Sequence, residues 1–392
     1  MTSEYIELGS GISKIIDYRG KTPQKLGSDW VDQGVRVVSA KNVHDGKLDN
    51  LDAIRCVTDE IYRKWMKDEI QRNDILLASE GASMGESMLW ESDEKVVLGQ
   101  RLFCLRCDNS VLNPYYLAMY MRTPEYRAEL VNHATGTSVM GLRQPALLRT
   151  KIRYIPIKTQ NMIGELYRVI LAKIDSNKKI NDNLQQQVAA LFANFYDHAE
   201  TEVSFTEIIQ ILGGGTPKTG ESSYWNGNVP FFTPKDVGSP YTLSTEKTIT
   251  EEGLAHCNSR LYPVNTVFVT ARGTVGKVGL PGVPMAMNQS CYALVGKETH
   301  QLLVYFYTLK AVDRLKHKAS GAVFDAITTR DFESEIIMKL SDEDAQGFLD
   351  VAEPIYQAVL SNSIENLRLA ALRDSLLPKL MSGEINVSDI QL

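Results

Sequence analysis

Hydrophobic positions in this chain keep two rhythms. From 160 to about 197, Ile163, Leu166, Ile170, Ile174, Asn177, Asn181, Leu184, Val188, Leu191 and Phe195 recur every three or four residues. That spacing lines one face of an α-helix. No proline or glycine follows Gly164 in the stretch, so it predicts one helix of about 35 residues, on the order of 50 Å long. A second segment, from 343 to about 382, carries Phe348, Val351, Ile355, Val359, Leu369, Leu372, Leu376 and Leu380. Pro354 and Pro378 lie inside it, and Pro354 predicts a kink or a late start because proline removes a helical hydrogen bond. Neither helix can bury its stripe alone. The simplest partner of each is the other, paired antiparallel as a coiled coil.

The stretches before each helix have another grammar. Short apolar runs broken by Gly, Pro, Asn and Asp predict strands and turns. "NPYYLAMYMRT" and "QLLVYFYTLKAVDRLK" predict helices among them. The fold class is therefore α+β: globular regions at 1–158 and 200–341, each followed by a helical segment, 159–199 and 342–392.

The chain also repeats itself. "RGKTP" at 19–23 resembles "GGGTP" at 213–217, and "VRVVSAKNV" at 35–43 resembles "VPFFTPKDV" at 229–237. Trp30 and Trp225 fall between those blocks. "RNDILLASEGASMG" at 72–85 answers "VNTVFVTARGTVG" at 264–276, with Gly81 opposite Gly273 and Gly85 opposite Gly276. "GQRLFCL" answers "NQSCYAL", pairing Gln100 with Gln289, and "ATGTSV" at 134–139 answers "ASGAVF" at 319–324. Blocks in one order at nearly one offset indicate duplication, and two similar units in tandem suggest pseudo-twofold symmetry.

Composition narrows the classes. The 392 residues carry a net charge of -6, with 43% hydrophobic residues, which excludes a strongly basic DNA-coating protein but not local basic patches. No apolar run approaches a membrane span, no signal peptide opens the chain, and five scattered cysteines fit a reducing cytoplasm. Cys104 and Cys107 form a CxxC inside "QRLFCLRC", which reads as a strand that sends them to opposite faces, with no second pair to complete a zinc site.

"GGGTPKTGESSYWNGNVPFFTPKDV" opening a domain, "INDNLQQQVAALFANFY" in the central helix and "LRDSLLPKLMSGEI" near the C-terminus together resemble the specificity subunits of type I restriction–modification systems, as does the alternation of globular region and helix. The resemblance implies that each globular region is a target recognition domain reading one half of a split DNA sequence. The helices would set the unread spacer. The subunit would be non-catalytic. It would recruit two modification subunits, which carry S-adenosylmethionine and methylate adenine, and restriction subunits that use ATP and Mg.

The chain carries only partial matches to enzyme motifs. The nearest approach to an adenine methyltransferase motif is "NPYY" at 113–116, which lacks the second proline; Pro114 is better placed as the start of a helix. "ARGTVGKV" at 271–278 lacks the first glycine and the final Ser or Thr of a phosphate-binding loop, and "GGGTPKTG" fails alike. A solitary methyltransferase with a degenerate motif, and a coiled-coil adaptor that binds no DNA, remain as alternatives.

Candidate DNA contacts follow from residue chemistry. Thr216, Lys218 and Thr219, beside Gly213 to Gly215, could offer backbone amides and a cation to phosphate; equally, the glycines could form a turn packed on Trp225. Lys21 and Thr22 are the first-half counterparts. Arg143, with Arg149, Lys151 and Arg153, and Lys310, Arg314, Lys316 and Lys318 form two basic runs. The loops "SEGASMGE" and "ARGTVGK" place Glu80 and Glu86 in the first half where the second has Arg272 and Lys277. Arginine pairs with guanine and carboxylates with cytosine, so loops entering the groove would read different bases; as distal turns they would read none. Lys41, Lys235, Arg101 and Gln289 complete the candidates, and "ALFANFY" at 190–196 is a candidate apolar patch for a partner.

Overall fold

The computed structural model describes residues 4–136, 139–318, 326–382 and 384–385. It divides into two compact units, Met1–Ala172 with Ala370–Leu392, and Lys173–Leu369.

Unit 1 contains β1 (Glu4–Glu7), β2 (Ile12–Ile16), β3 (Val35–Val38), β4 (Val43–His44), β5 (Lys47–Leu48), β6 (Cys56–Val57), α1 (Asp59–Trp65), β7 (Ile75–Ala78), β8 (Ser87–Leu89), β9 (Val97–Leu98) and β10 (Leu102–Cys107). Then come α2 (Pro114–Tyr120), α3 (Pro124–His133), α4 (Gln144–Leu148), β11 (Lys151–Tyr154) and the start of α5 (Ile157–Asp197). One sheet has the order β2-β10-β7-β8, a second β6-β3-β9, and β1 pairs with β11. Every residue of β7 is buried, as its unbroken apolar run requires. Cys104 and Cys107 lie in β10, both buried. Pro114 opens α2, and the Asn113 side chain caps it by accepting from the Tyr115 and Tyr116 amides.

Unit 2 contains the rest of α5, β12 (Thr201–Ser204), α6 (Phe205–Ile208), β13 (Ile209–Gly213), β14 (Trp225–Phe232), β15 (Tyr241–Thr242), β16 (Lys247–Ile249) and α7 (Glu251–Ala255). It continues through β17 (Val267–Thr270), β18 (Val278–Pro281), β19 (Ala286–Met287), β20 (Cys291–Gly296), α8 (Gln301–Lys318), α9 (Thr329–Glu333), β21 (Ile336–Lys339) and α10 (Asp342–Ser382). Its sheets run β13-β20-β17-β18-β15 and β16-β14-β19, and β12 pairs with β21. These three pairings repeat the order of unit 1, with β15 added at one edge; the β4–β5 pair belongs to unit 1 alone.

The repeats in the sequence are thus one fold built twice. Even backbone exceptions recur. Asn73 and Asn265, in the turns before β7 and β17, have φ of 72° and 69°, and Gly81 and Gly273, in the loops after those strands, have 80° and 83°. A side chain is strained in that region, which accounts for the repeated glycine. The repeat of "ATGTSV" and "ASGAVF" involves residues 137–138 and 319–324, outside the described residues.

Within unit 2, α5 and α10 pack antiparallel. Asn177 donates to Glu365 and Asn366, Asn181 to Val359 and Ser363, and the Phe192 and Phe348 rings lie 5.3 Å apart. The buried seam is Asn177, Asn181, Val188, Phe192 and Tyr196 against Phe348, Ala352, Tyr356 and Val359. This differs from the periodicity on both helices. Ile174, Leu184, Leu191, Phe195, Ile355 and Leu369 are only half-buried, and Val351 is exposed. The cause is a third helix. Phe306 of α8 packs 5.0 Å from Phe192, 5.2 Å from Phe348 and 5.6 Å from Tyr356, which turns the buried face toward Phe192, Tyr196 and Tyr356. The "ALFANFY" stretch is therefore no open apolar patch, since Phe192 and Tyr196 lie in the core. Nor does α10 start late: the Ser341 hydroxyl accepts from the Asp344 amide and begins the helix at Asp342, upstream of Pro354.

Within unit 1, Ile163, Leu166, Tyr167 and Ile170 of α5 are buried, as are Leu380 and Met381 of α10, whereas Leu372 is exposed. A Cβ on Gly164 would lie 2.4 Å from the Asn113 side-chain Oδ1, so the one glycine of α5 lets the helix close on the cap of α2.

Candidate nucleic-acid interface

In each unit several strand ends meet at one edge. In unit 2, β14 and β19 run parallel and end side by side, Phe232 opposite Met287. There β20 begins and β17 ends, Cys291 opposite Thr270, and β13 ends at Gly213 beside Tyr292. The loops leaving this edge are 214–221, 233–237, 271–277 and 288–290. In unit 1, Val38 and Leu98 end β3 and β9 together, and Leu102 faces Ala78. The matching loops are 17–23, 39–42, 79–86 and 99–101. Every candidate contact outside the two basic runs lies on these loops or at their junction with a strand. The edges are joined alike: the Ser79 amide donates to the Arg101 carbonyl and the Ala271 amide to that of Ser290, both at 2.8 Å.

The glycine-rich loop of unit 2 is tightly seated. The Gly215 amide donates to the Met287 carbonyl at 3.0 Å, and a Cβ on Gly214 would sit 2.1 Å from the Asn288 oxygen. Thr216 donates to the Gln289 side chain, and the Trp225 indole donates to the Lys218 carbonyl at 3.3 Å. The loop thus packs near Trp225, while Lys218 and Thr219 stay exposed at its tip. Lys235 is 82% exposed, its nearest acid Glu246 at 4.0 Å. Arg272 and Lys277 are exposed on the neighbouring loop, which leans on the Lys235 turn through Thr274, donating to the Pro234 carbonyl at 3.3 Å. Unit 2 therefore gathers Lys218, Lys235, Arg272 and Lys277 at one edge.

Unit 1 uses the same backbone with other side chains. Lys21 turns inward, donating to the Trp65 carbonyl at 2.8 Å and lying 4.2 Å from the Tyr18 ring centre; burial, then Lys67, holds its ammonium pKa below the usual lysine value. The Thr22 hydroxyl accepts from the Lys25 amide. Lys41 is exposed. Glu86 is held inside the unit, accepting from the Asp45 amide at 2.9 Å and Arg127 at 2.6 Å. Burial pushes its carboxyl up, but the Asp45 amide, Arg127 and His44 outweigh that and hold it below the usual range. Glu80 and Arg101 form an ion pair at 3.1 Å, 39% and 56% exposed.

The two basic runs divide. Arg143 and Arg149 are exposed around α4, Lys151 pairs with Glu7 at 3.2 Å, and Arg153 reaches the Met381 carbonyl at 3.5 Å. On α8, Arg314 and Lys318 both hold Glu335, whose side chain is 1% exposed, and Lys310 lies over the Tyr196 ring. Lys316 is exposed beside Gly276. Periodicity gave no sign that Glu335 anchors α8, since "ESEIIMKL" offers two glutamates ahead of an apolar run and does not tell them apart. Among the described residues no group of His, Cys, Asp or Glu could hold a metal ion, and no helix is long and apolar enough to cross a membrane.

Comparison with known proteins agrees with this layout. Residues 200–344 match the family model described as the type I restriction modification DNA specificity domain. The MjaIX specificity subunit of Methanocaldococcus jannaschii is 31% identical over 124 residues, 30% of this chain and 29% of that protein. The HindI specificity subunit of Haemophilus influenzae is 28% identical over 187 residues, 46% of this chain and 41% of that protein. The matched stretches therefore span well under half of these relatives. The fold is similar to the crystal structure of a type I restriction-modification system S subunit from M. genitalium, at TM-score 0.58 and 15% identity, over 97% of this chain and 96% of that one.

Proposed function

We infer that this chain, a member of the type I restriction–modification specificity subunit family through residues 200–344, is the DNA-reading subunit of such a complex. One observation carries the reading: the same loop edge occurs twice, on the same strand order, with different charged side chains. A repeated scaffold with unlike tips suits reading two different short sequences on one duplex. Lys218 and Lys235 grip phosphate, which positions without specifying, and Arg272 reads a base edge. The target is split and asymmetric, and the α5–α10 pair sets the unread spacer.

The chain itself carries no catalysis in this reading. The Asn113 side chain, in the nearest match to a methyltransferase motif, is engaged as a helix cap, which weighs against a solitary methyltransferase. Adenine methylation belongs to two modification subunits that bind S-adenosylmethionine, and cleavage to restriction subunits that use ATP and Mg, in a cytoplasmic complex. The exposed cations of the unit 2 edge weigh against an adaptor that ignores DNA.

Selection from a random duplex library by the chain assembled with its modification subunits tests this. The expected product is two short unlike motifs at a fixed separation. A library with no common sequence overturns the reading.

A further inference from the structure

We propose that Arg101, clamped by Glu80, is the residue through which unit 1 reads a guanine. This rests on the DNA-reading function above.

The argument begins with the backbone. Among the described non-glycine residues with positive φ, five of the seven are Asn or Asp, which tolerate that region through local hydrogen bonds. Arg101 is one of the other two, at 64°. The fold does not require it. Ser290 occupies the matching place in unit 2, accepting the matching hydrogen bond from Ala271, and is not among the positive-φ residues. A long side chain held in a strained conformation on one copy of a duplicated loop marks a local demand, and such strain gathers at functional positions.

The side chain is then paired with an acid. Glu80 Oε1 lies 3.1 Å from Arg101 Nε. Glu80 is itself held by its bridge to Gly141, flanked by the Leu142 amide donating to the Ser79 carbonyl and the Gly81 amide donating to the Met140 carbonyl. Arg101 Nη1 passes 3.7 Å from where a Cβ on Gly81 would be, ordinary van der Waals contact, so the guanidinium lies against the Gly81 turn. The carboxylate pairs with Nε as an ion contact without a well-aligned hydrogen bond, and no hydrogen bond ties Nη1 or Nη2 to a side chain of the described residues. A guanidinium oriented through Nε presents its two terminal nitrogens as a fork, the geometry that matches guanine O6 and N7. Lysine has no such fork.

Unit 2 makes the contrast. Arg272 stands where Glu80 does, each bridged to the neighbouring segment, Arg272 to Ala326 and Glu80 to Gly141, and Ser290 stands where Arg101 does. Each unit therefore carries one exposed guanidinium at this place, supplied from opposite loops. Unit 1 alone adds a carboxylate to aim it. Glu80 is a positioning residue.

The test is duplex selection with the assembled complex, comparing wild type, Arg101→Lys, Arg101→Ala and Glu80→Gln. Both arginine variants should lose a guanine at one position of one half-site by about tenfold or more in preference, and leave the other half-site unchanged. Glu80→Gln should relax the same position partially, with no change in salt slope, since no phosphate contact is lost. An Arg101→Ala complex that selects the wild-type sequence, or that binds all sequences equally weaker, overturns the proposal. A wild-type complex that selects no sequence overturns the DNA-reading function instead. Thermal unfolding of each variant separates loss of reading from loss of fold.

Discussion

Asn362 donates its side-chain amide to the Asn181 side-chain carbonyl at 2.8 Å, inside the seam of α5 and α10. Asn181 in turn donates to the Val359 carbonyl at 3.1 Å and the Ser363 hydroxyl at 3.2 Å. One turn earlier, Asn177 is buried and donates to Glu365 and Asn366. A polar layer satisfied in only one alignment specifies register, a role attested for single buried asparagines in coiled coils.

Asn181→Ala should therefore destabilise unit 2 by about 1–3 kcal/mol, through a small cavity and unpaired partners. Urea unfolding measures it, and unchanged stability would remove the layer from the account.

Arg272→Ala should cost roughly 1–3 kcal/mol on the preferred duplex and relax one position of the half-site read by unit 2. Competition binding against single-base variants of the selected duplex gives the number. A uniform loss across all variants would make Arg272 a phosphate contact.

Lys218→Ala and Lys235→Ala should weaken preferred and random duplexes alike. Each should lower the slope of log affinity against log salt by about one. Titration at several salt concentrations reads this directly, and an unaltered slope would return either lysine to the solvated surface.

The sequence carried much of this fold and rather less of the interface. The duplication was legible because turns need particular residues: Asn73 and Asn265, Gly81 and Gly273 mark the same bends in both units. The long helices were legible from their stripe, but the stripe misplaced Phe195 and Val351, because periodicity cannot show that Phe306 of α8 inserts against both helices. At the candidate interface, the repeat matched the loops of one unit to those of the other but could not show that they gather at one edge. It could not show that Lys21 and Glu86 turn inward, since a charged residue in a loop looks alike whether it faces solvent or a carbonyl. Nor could it show the Glu80–Arg101 clamp, which depends on a contact between loops some twenty residues apart.

The inward Glu86 leads to a pH prediction. Its folded carboxyl titrates below its unfolded value, so its stabilisation is present above the unfolded value, near 4.3 for a free glutamate, and is lost as pH falls through the folded one. Glu86→Gln should be about 1–2 kcal/mol less stable than wild type at neutral pH, and the two should converge in acid. A difference that persists below the folded value would show that Glu86 matters through shape and not charge.

The proposed function makes the α5–α10 pair the element that sets the unread spacer. The most direct measurement is genome-wide mapping of methylated adenines in a host whose chain carries four extra residues, about one helical turn, near the middle of α5. A turn adds about 5.4 Å, or one to two base pairs at roughly 3.4 Å each. The account predicts the same two half-sites as wild type, separated by a spacer longer by that amount. A spacer of unchanged length, or a methylated motif that is continuous and palindromic, would contradict it.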